Sequence, residues 1–236
     1  MTSSRVIVAL DLPTAEAAID MAKRVDAHVA GFKIGLGLLF DSGPQLINEL
    51  VGLGRPVFVD AKLHDIPTQV EHAAQRIGAR GARWVTAHAS GGADMLAAAV
   101  AGLARGSDES PAGILAVSVL TSLDHDRLAA VGIDATPAHL VAHMSQTAAT
   151  VGCEGIVSSP NELATVTEAA PGLLRVTPGI RIDNTGDDQV RTATPAGAIS
   201  AGADLLVVGR PITEALDPEN AAAVIAAAVN GIADSA

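Results

Sequence analysis

Short apolar runs alternate with segments of helical length eight times along this chain of 236 residues. The runs are rich in β-branched residues and largely continuous in apolar character, which is typical of strands buried on both faces of a parallel sheet. We predict strands over residues 5–11, 31–35, 56–62, 84–89, 113–120, 155–159, 174–180 and 205–210. Strands and helices that alternate eight times predict an α/β fold, the (β/α)8 TIM barrel.

Helical segments lie between the predicted strands and after the last one. Several begin with Pro or Gly and an early acidic residue, which suits a helix N-terminus. The alternative to a barrel is an open doubly wound sheet, but no G-x-G-x-x-G follows the first strand, where a dinucleotide fold would need it. The length suits one barrel, so we predict a single domain over residues 1–236.

Charge and composition narrow the possible partners. Because the net charge is −11 and no basic cluster is interleaved with aromatic residues, nucleic acid is not expected as a partner. The apolar stretch AAAVIAAAV has nine residues, against the roughly 20 that a membrane span needs, so we expect no membrane partner. A single cysteine, Cys153, and an apolar opening too short for a signal peptide favour the cytoplasm.

Charged residues cluster where the first three predicted strands end. Asp11 closes the first strand, Lys33 lies near the end of the second, and Asp60 and Lys62 close the third. Since alternate residues of a strand point to the same side, Asp60 and Lys62 should face together while Ala61 faces away. The carboxyl ends of barrel strands carry the catalytic groups of this fold. The sequence therefore predicts an Asp-Lys-Asp-Lys array over the barrel mouth.

Each of these charges taken alone would be interpreted as half of a surface ion pair of little energetic value. Four charges at the same end of three consecutive strands are harder to explain in that way. Near the inner rim they would be partly desolvated, and each would be costly unless its neighbours compensated it. We therefore favour a functional array.

A second group of polar residues follows the last two predicted strands. Barrels commonly bind phosphate in the loops after strands seven and eight, where backbone N–H groups and an arginine meet the oxyanion. The simpler interpretation is that the two arginines are solvated and that the polar loop after the seventh predicted strand is a flexible surface connection. A polar loop as long as this one is more often a binding loop or lid. The candidate phosphate residues are Pro178, Arg181, Gln189, Gly209 and Arg210.

A phosphate site beside an array of carboxylates and ammonium groups suits a small phosphorylated anion. No group of Cys, His and carboxylate residues has the spacing of metal ligands, and no lysine lies in a motif that demands a cofactor. We therefore predict neither a metal nor an organic cofactor.

Six motifs together give the chain a resemblance to the orotidine 5'-phosphate decarboxylase family. They are VALD (8–11), KIGL (33–36), DAKLHDIP (60–67), VLTS (119–122), TPGIR (177–181) and VVGRPIT (207–213), and they span nearly the whole chain. The combination of D-x-K-x-x-D-I-P with TPGIR and VGRP is specific, whereas each motif alone would be weak. The resemblance implies a homodimeric barrel that converts orotidine 5'-phosphate to UMP without a cofactor.

The same resemblance implies a role for each site residue. Lys62 would protonate C6 of the pyrimidine, Asp60 would face the departing carboxylate, and Lys33 and Asp11 would hold the network and the ribose hydroxyls. Asp65 would act in the active site of the neighbouring subunit. The substrate contacts implied beyond these are Ile66, Gln69, Thr121, Pro178, Arg181, Gln189, Gly209 and Arg210.

One stretch departs from the family pattern. The family commonly has Asn-Thr after D-I-P, and this chain has Thr68-Gln69. The usual Thr would reach the ribose across the dimer. Gln69 stands in its place, and its amide can also hydrogen-bond a hydroxyl.

Two alternatives remain open from the sequence. One is a Mg²⁺-dependent sugar-phosphate decarboxylase or synthase of the same barrel group, which would place an acidic metal ligand where this chain has Lys33. The other is a barrel that binds a phosphorylated ligand without catalysis. Metal dependence of turnover distinguishes the first, and binding without product formation distinguishes the second.

Overall fold

The computed structural model describes residues 4–108, 110–181 and 193–233, and within them eight parallel strands close into a barrel. The strands pair in chain order, and β1 closes the barrel by pairing with β8. The predicted TIM barrel is confirmed, and the open-sheet alternative is wrong. The strands are β1 Val6–Ala9, β2 Gly31–Ile34, β3 Val57–Leu63, β4 Trp84–His88, β5 Gly113–Val117, β6 Gly155–Val157, β7 Leu174–Thr177 and β8 Leu205–Val208.

All eight predicted strands exist, but most are shorter than predicted at their carboxyl ends. The prediction over 113–120, for example, corresponds to β5, which ends at Val117. The residues that follow each strand leave the hydrogen-bonded ladder and form the loops of the barrel mouth. Apolar character alone cannot mark that boundary, because these loop residues are also partly buried.

Helices follow the strands around the outside of the barrel. The α-helices within the described residues are α1 Ala15–Val25, α2 Leu36–Ser42, α3 Gln45–Val51, α4 Pro67–Gly78, α5 Ala93–Gly106, α6 His125–Ala130, α7 Pro137–Thr150, α8 Leu163–Ala169, α9 Pro195–Ser200, α10 Arg210–Thr213 and α11 Pro218–Ala233. In the part of the chain that the structure describes, no helix has both the length and the apolar character needed to cross a membrane.

A strict alternation of strands and helices predicts one helix after each strand, but two helices follow three of the strands. The additional short helices are α2 after β2, α6 after β5 and α10 after β8. A signal for α6 was present, because Asp124 precedes it and its carboxylate accepts a hydrogen bond from the backbone N–H of Arg127 at 2.9 Å. An acidic residue in that position is a common helix N-cap.

The strands bury their two faces in two separate apolar clusters. A small cluster is composed of alternate strand residues and fills the barrel interior, with Ile7, Phe58, Trp84, Leu115 and Val176 among its members. A larger cluster joins the opposite faces of the strands to the helices. The interior residues close the barrel below the mouth. Two residues beyond the interior residues of β1, β3, β5, β7 and β8, the chain lines a cavity above them.

Candidate active site

A cavity of about 490 Å³ opens at the carboxyl ends of the strands. Its floor is apolar and includes interior residues such as Ala9, Phe58 and Val207, and its rim is polar. Nine of the residues predicted for the site line it: Asp11, Lys33, Asp60, Lys62, Thr121, Pro178, Arg181, Gly209 and Arg210. The structure thus brings together both groups of candidate residues, the charged array and most of the candidate phosphate residues.

The predicted Asp-Lys-Asp-Lys array is a continuous chain of ion pairs. The Nζ atom of Lys33 lies 3.0 Å from Asp11 Oδ1 and 3.6 Å from Asp60 Oδ2. The Nζ atom of Lys62 lies 2.6 Å from the same Asp60 Oδ2. Asp60 therefore lies between two ammonium groups, and Lys33 lies between two carboxylates. This alternation lets each charge compensate the next in a partly desolvated site.

Burial differs along the array. Lys33 is 8% exposed, whereas the side chain of Asp11 is 61% exposed. Asp60 is also largely buried, and the side chain of Lys62 is about one-third exposed. Lys33 and Asp60 are fixed by their surroundings. The Asp11 carboxylate and the Lys62 ammonium group face the cavity, where a ligand can reach them.

The electrostatic environment keeps Asp60 ionised. Burial is the largest single influence and by itself would raise the pKa of this carboxyl group. The charges of Lys33 and Lys62 and the hydrogen bonds from Lys62 and Thr86 act in the opposite direction and together lower the pKa below its usual value of 3.8. Asp60 is therefore a carboxylate at neutral pH.

Strand β3 carries an irregularity at the site. Between the pairs Val59↔Val85 and Leu63↔Ala87, β3 advances four residues while β4 advances two. Within this bulge Lys62 adopts a φ of 46°, in the left-handed region, where non-glycine residues are strained by about 1 kcal/mol or more. Bulges redirect side chains at barrel rims and beside active sites. Lys62 still faces the cavity, whereas Ala61 packs against the outer cluster, as predicted.

Sequence reasoning missed Thr86, a fully buried residue of β4. Its Oγ1 donates a hydrogen bond to Asp60 Oδ1 at 2.9 Å and accepts one from the backbone N–H of Lys62, also at 2.9 Å. Threonine is common in strands, so the motif WVTAHA carried no signal that this side chain contacts the charged array.

Gly35 is a second residue whose importance appears only in the structure. A Cβ atom at this position would lie 2.9 Å from Asp11 Oδ1 and 3.3 Å from Lys33 Nζ. Such distances are too short for a carbon beside polar atoms without displacement. The absence of a side chain at the end of β2 therefore leaves room for the Asp11–Lys33 ion pair.

Loop backbone after β7 and β8 forms another edge of the cavity, beside β1. The backbone N–H of Arg181 donates to the carbonyl of Ala193 at 3.0 Å, and Ile180 and Ala193 form a β-bridge. These contacts join the two ends of the loop after β7. Gln189 belongs to that loop and lies outside the described residues. At Gly209, an added Cβ would meet nothing closer than Ala9 Cβ at 3.6 Å, so the protein leaves open space there.

Three predicted site residues do not line this cavity in the described chain. Asp65 and Ile66 lie in the exposed connection between β3 and α4, and Gln69 lies exposed in the first turn of α4. The Asp65 carboxylate accepts a hydrogen bond from the backbone N–H of Ile66 at 2.6 Å, and Ile66 is 63% exposed. These residues project from the rim beside the cavity of their own barrel.

Two histidines lie near Lys62. The rings of His64 and His88 have centroids 5.3 Å apart. Partial burial, together with the charges of His64 and Lys62, lowers the pKa of His88 below its usual 6.5, although Asp60 opposes this. His88 is therefore neutral at neutral pH and adds no charge to the array.

The family model described as the orotidine 5'-phosphate decarboxylase / HUMPS family matches residues 4–225, which include every predicted site residue. The chain belongs to this family. Among its curated members, orotidine 5'-phosphate decarboxylase of Anaeromyxobacter dehalogenans is 48% identical over 227 residues, with 95% of this chain and 98% of the relative covered. The enzyme of the same name from Thermobifida fusca is 42% identical over 226 residues, with 94% of each chain covered.

Solved structures of the family have the same barrel. The crystal structure of orotidine 5'-phosphate decarboxylase from Lactobacillus acidophilus matches with a TM-score of 0.86 at 34% identity, covering 96% of this chain and 99% of that one. The protein of the same name from Pyrococcus horikoshii matches with a TM-score of 0.76 at 25% identity, covering 96% and 99%. The family membership predicted from the six motifs is confirmed.

Proposed function

We propose that this protein decarboxylates orotidine 5'-phosphate to UMP in pyrimidine biosynthesis, without a metal or an organic cofactor. The observation that carries the proposal is the chain of ion pairs from Asp11 to Lys62 at a cavity that Arg181 and Arg210 also line. The names of the curated relatives support the same activity. We further propose that residues 1–236 form one domain that acts in the cytoplasm and binds neither nucleic acid nor membrane.

The chemical step follows from the position of Lys62. When the bond from C6 to the carboxylate breaks, the electron pair stays on C6 in the plane of the ring, where the π system cannot delocalise it, and CO2 leaves. An ammonium group beside C6 stabilises the developing negative charge and then transfers a proton to the carbon. The neutral amine of Lys62 regains its proton from water. Carboxylate and proton thereby exchange at one carbon without a change of oxidation state in the protein.

Asp60 would lie against the substrate carboxylate. Two like charges about 4 Å apart at an effective dielectric constant near 20 repel by roughly 4 kcal/mol, which raises the energy of the bound substrate. We assign a larger share of catalysis to the stabilisation of the carbanion by Lys62 and to binding energy from the remote phosphate. Lys33 and Asp11 would hold Asp60 in place and contact the ribose hydroxyls.

The phosphate would bind at the edge formed by the loops after β7 and β8. Arginine pairs with phosphate through parallel N–H donors, which Arg181 and Arg210 would supply. The open space at Gly209 lets a phosphate oxygen approach the backbone. Thr121 would contact the base, Gln189 would bridge the base and the phosphate, and the turn at Pro178 would form part of the phosphate site.

We also propose a homodimer in which each active site is completed by its partner. Asp65, Ile66 and Gln69 project from the rim and do not line the described cavity of their own chain. In a two-fold dimer the same patch on each subunit can reach the other site. Asp65 would then add a second carboxylate next to Lys62, and Ile66 and Gln69 would contact the nucleotide.

The test is direct: the fall in absorbance as orotidine 5'-phosphate becomes UMP, measured with and without EDTA. We expect turnover at the same rate in both. Loss of activity in EDTA would favour the Mg²⁺-dependent sugar-phosphate alternative. The Lys33 ammonium, 3.6 Å from Asp60, argues against a cation there because it would repel one. Nucleotide binding without UMP formation would indicate a barrel that only binds.

A further inference from the structure

The hydrogen-bonded ladder between β3 and β4 is interrupted beside Asp60 and Lys62, which are the reacting pair of the proposed mechanism. The side chain of Thr86 takes the place of the missing backbone contact. Val59 pairs with Val85 and Leu63 pairs with Ala87, so Asp60, Ala61 and Lys62 lie in the bulge between them. The backbone N–H of Lys62 donates instead to the side-chain oxygen of Thr86. A buried N–H without an acceptor would be costly, and this contact satisfies it.

The same hydroxyl fixes the carboxylate of Asp60. Thr86 Oγ1 donates to Asp60 Oδ1, while the other oxygen, Oδ2, holds the Lys62 and Lys33 ammonium groups. Hydroxyl groups can donate and accept at once, which carboxylates and ammonium groups cannot. Asp60 is thereby held at both oxygens and cannot rotate without losing a contact.

Thr86 is itself rigid. Its backbone pairs with Leu115 in the regular β4–β5 ladder, and the residue is fully buried. The hydroxyl is therefore shielded from solvent, and the strand sets its position. The rigid Thr86 side chain thus holds the strained backbone of Lys62 in its unusual conformation.

We propose that Thr86 is a positioning residue for the reaction, because its hydroxyl fixes the Asp60 carboxylate and the Lys62 backbone relative to each other. This inference rests on the proposed function. Thr86 does not line the cavity, so it acts on the substrate only through the reacting pair.

The test compares Thr86→Val, which keeps the shape and removes the hydroxyl, with Thr86→Ser, which keeps the hydroxyl. Because a misplacement of about 1 Å can cost about a hundredfold in rate, we expect Thr86→Val to lower kcat by about tenfold to a hundredfold. Its KM and UMP affinity should stay within about threefold of wild type, since the phosphate contacts are untouched. Thr86→Ser should stay within about threefold in all three quantities.

Two kinetic results would overturn the inference: Thr86→Val with kcat within about twofold of wild type, or Thr86→Ser with the same loss as Thr86→Val. Melting temperatures of both variants show whether each is folded at the assay temperature. If the valine variant is insoluble, Thr86→Ala removes the same hydroxyl and gives the same comparison with serine.

Crystal structures supply a readout that does not depend on activity. In Thr86→Val we expect Lys62 to leave the positive-φ region, or its Nζ to move beyond 3.5 Å from Asp60 Oδ2, a separation that is 2.6 Å in the wild type. Unchanged geometry would contradict the inference. If wild-type protein does not decarboxylate orotidine 5'-phosphate, the proposed function fails, and the crystal structures still decide whether Thr86 positions the pair.

Discussion

Lys62 combines a strained backbone with a position in the charged array. The residue lies in a bulge of β3, its side chain faces the cavity, and Asp60 holds its ammonium group. A lysine in an ordinary strand would satisfy its backbone in the ladder and would point its side chain with less constraint. The chain contains three lysines, at positions 23, 33 and 62, and two of them meet at Asp60.

Gly35→Ala tests whether the Asp11–Lys33 pair needs the space that glycine leaves. The added methyl group would displace Asp11 Oδ1 or Lys33 Nζ, so we expect kcat/KM to fall by about tenfold or more. The backbone of Gly35 has a φ of −100°, which alanine adopts freely, so the fold should remain.

Gly37→Ala is the matched control for that change. Gly37 lies two residues further on in α2, and an added Cβ there would meet nothing within 4 Å. Alanine favours a helix by up to about 1 kcal/mol over glycine, so this variant should keep full activity and equal or higher stability. Activity of Gly35→Ala within twofold of Gly37→Ala would show that the space is not required.

At the scale of the elements, the alternation of side chains along the strands predicted several of the residues that line the cavity. Asp11, Asp60 and Gly209 each lie two residues beyond an interior residue of their strand. Those interior residues are Ala9, Phe58 and Val207. The strand pattern therefore predicted which charged residues would meet at the mouth.

The same pattern could not predict the irregular parts. The β3 bulge depends on which residues of β4 are available as partners, and that information is not local to either strand. Thr86 looks like an ordinary strand residue until the neighbouring ladder is seen to be interrupted. Helix α2 follows directly on β2, and its apolar sequence LGLLFDS shows no polar face that would have marked a helix.

The residues proposed to bind the phosphate can be tested by substitution. A charged hydrogen bond contributes about 1.5–3 kcal/mol, which corresponds to roughly tenfold to a hundredfold in rate. We therefore expect Arg210→Ala, and in parallel Gln189→Ala, to lower kcat/KM by that factor for orotidine 5'-phosphate. Both should have almost no effect on turnover of the nucleoside orotidine, which lacks the phosphate.

Arg24→Ala changes an exposed arginine in the last turn of α1 that does not line the cavity, and controls for the loss of one positive charge. It should leave both substrates unaffected. Equal losses on the nucleotide and the nucleoside for Arg210→Ala would mean that the phosphate binds elsewhere.

At the scale of the whole molecule, the cavity differs in charge from the rest of the chain. Four basic side chains line it, Lys33, Lys62, Arg181 and Arg210, against the acidic Asp11, Asp60 and Glu214. The chain as a whole carries a net charge of −11. A phosphorylated anion therefore meets a locally basic opening in an acidic protein, which favours its binding at that place.

Sharing of Asp65 between subunits can be tested by mixing two inactive variants. Lys62→Ala and Asp65→Ala proteins are combined under conditions that let subunits exchange. In a hybrid dimer, the site on the Asp65→Ala chain keeps its own Lys62 and receives Asp65 from its partner, while the other site lacks both. About half of the dimers are hybrids and each has one working site, so activity should recover to about a quarter of wild type.

The control mixes Asp65→Ala with the double variant Lys62→Ala/Asp65→Ala. Its hybrids contain no intact Asp65, so no activity should return. If exchange is demonstrated independently and the first mixture stays as inactive as its parents, Asp65 does not act in the partner's site. The sharing of Asp65 is a prediction from the family resemblance, because strand patterns within one chain carry no information about a surface that would face a second copy.

The most direct test of the central claim is the turnover of orotidine 5'-phosphate by Lys62→Ala in the presence of EDTA, followed by absorbance beside wild type and Lys23→Ala, an exposed lysine of α1. Because the proposed role of Lys62 is to stabilise the transition state, we expect its replacement to nearly abolish turnover while UMP still binds. Wild type and Lys23→Ala should remain fully active with the chelator. Turnover by Lys62→Ala within tenfold of wild type, or loss of wild-type activity in EDTA, would contradict the account.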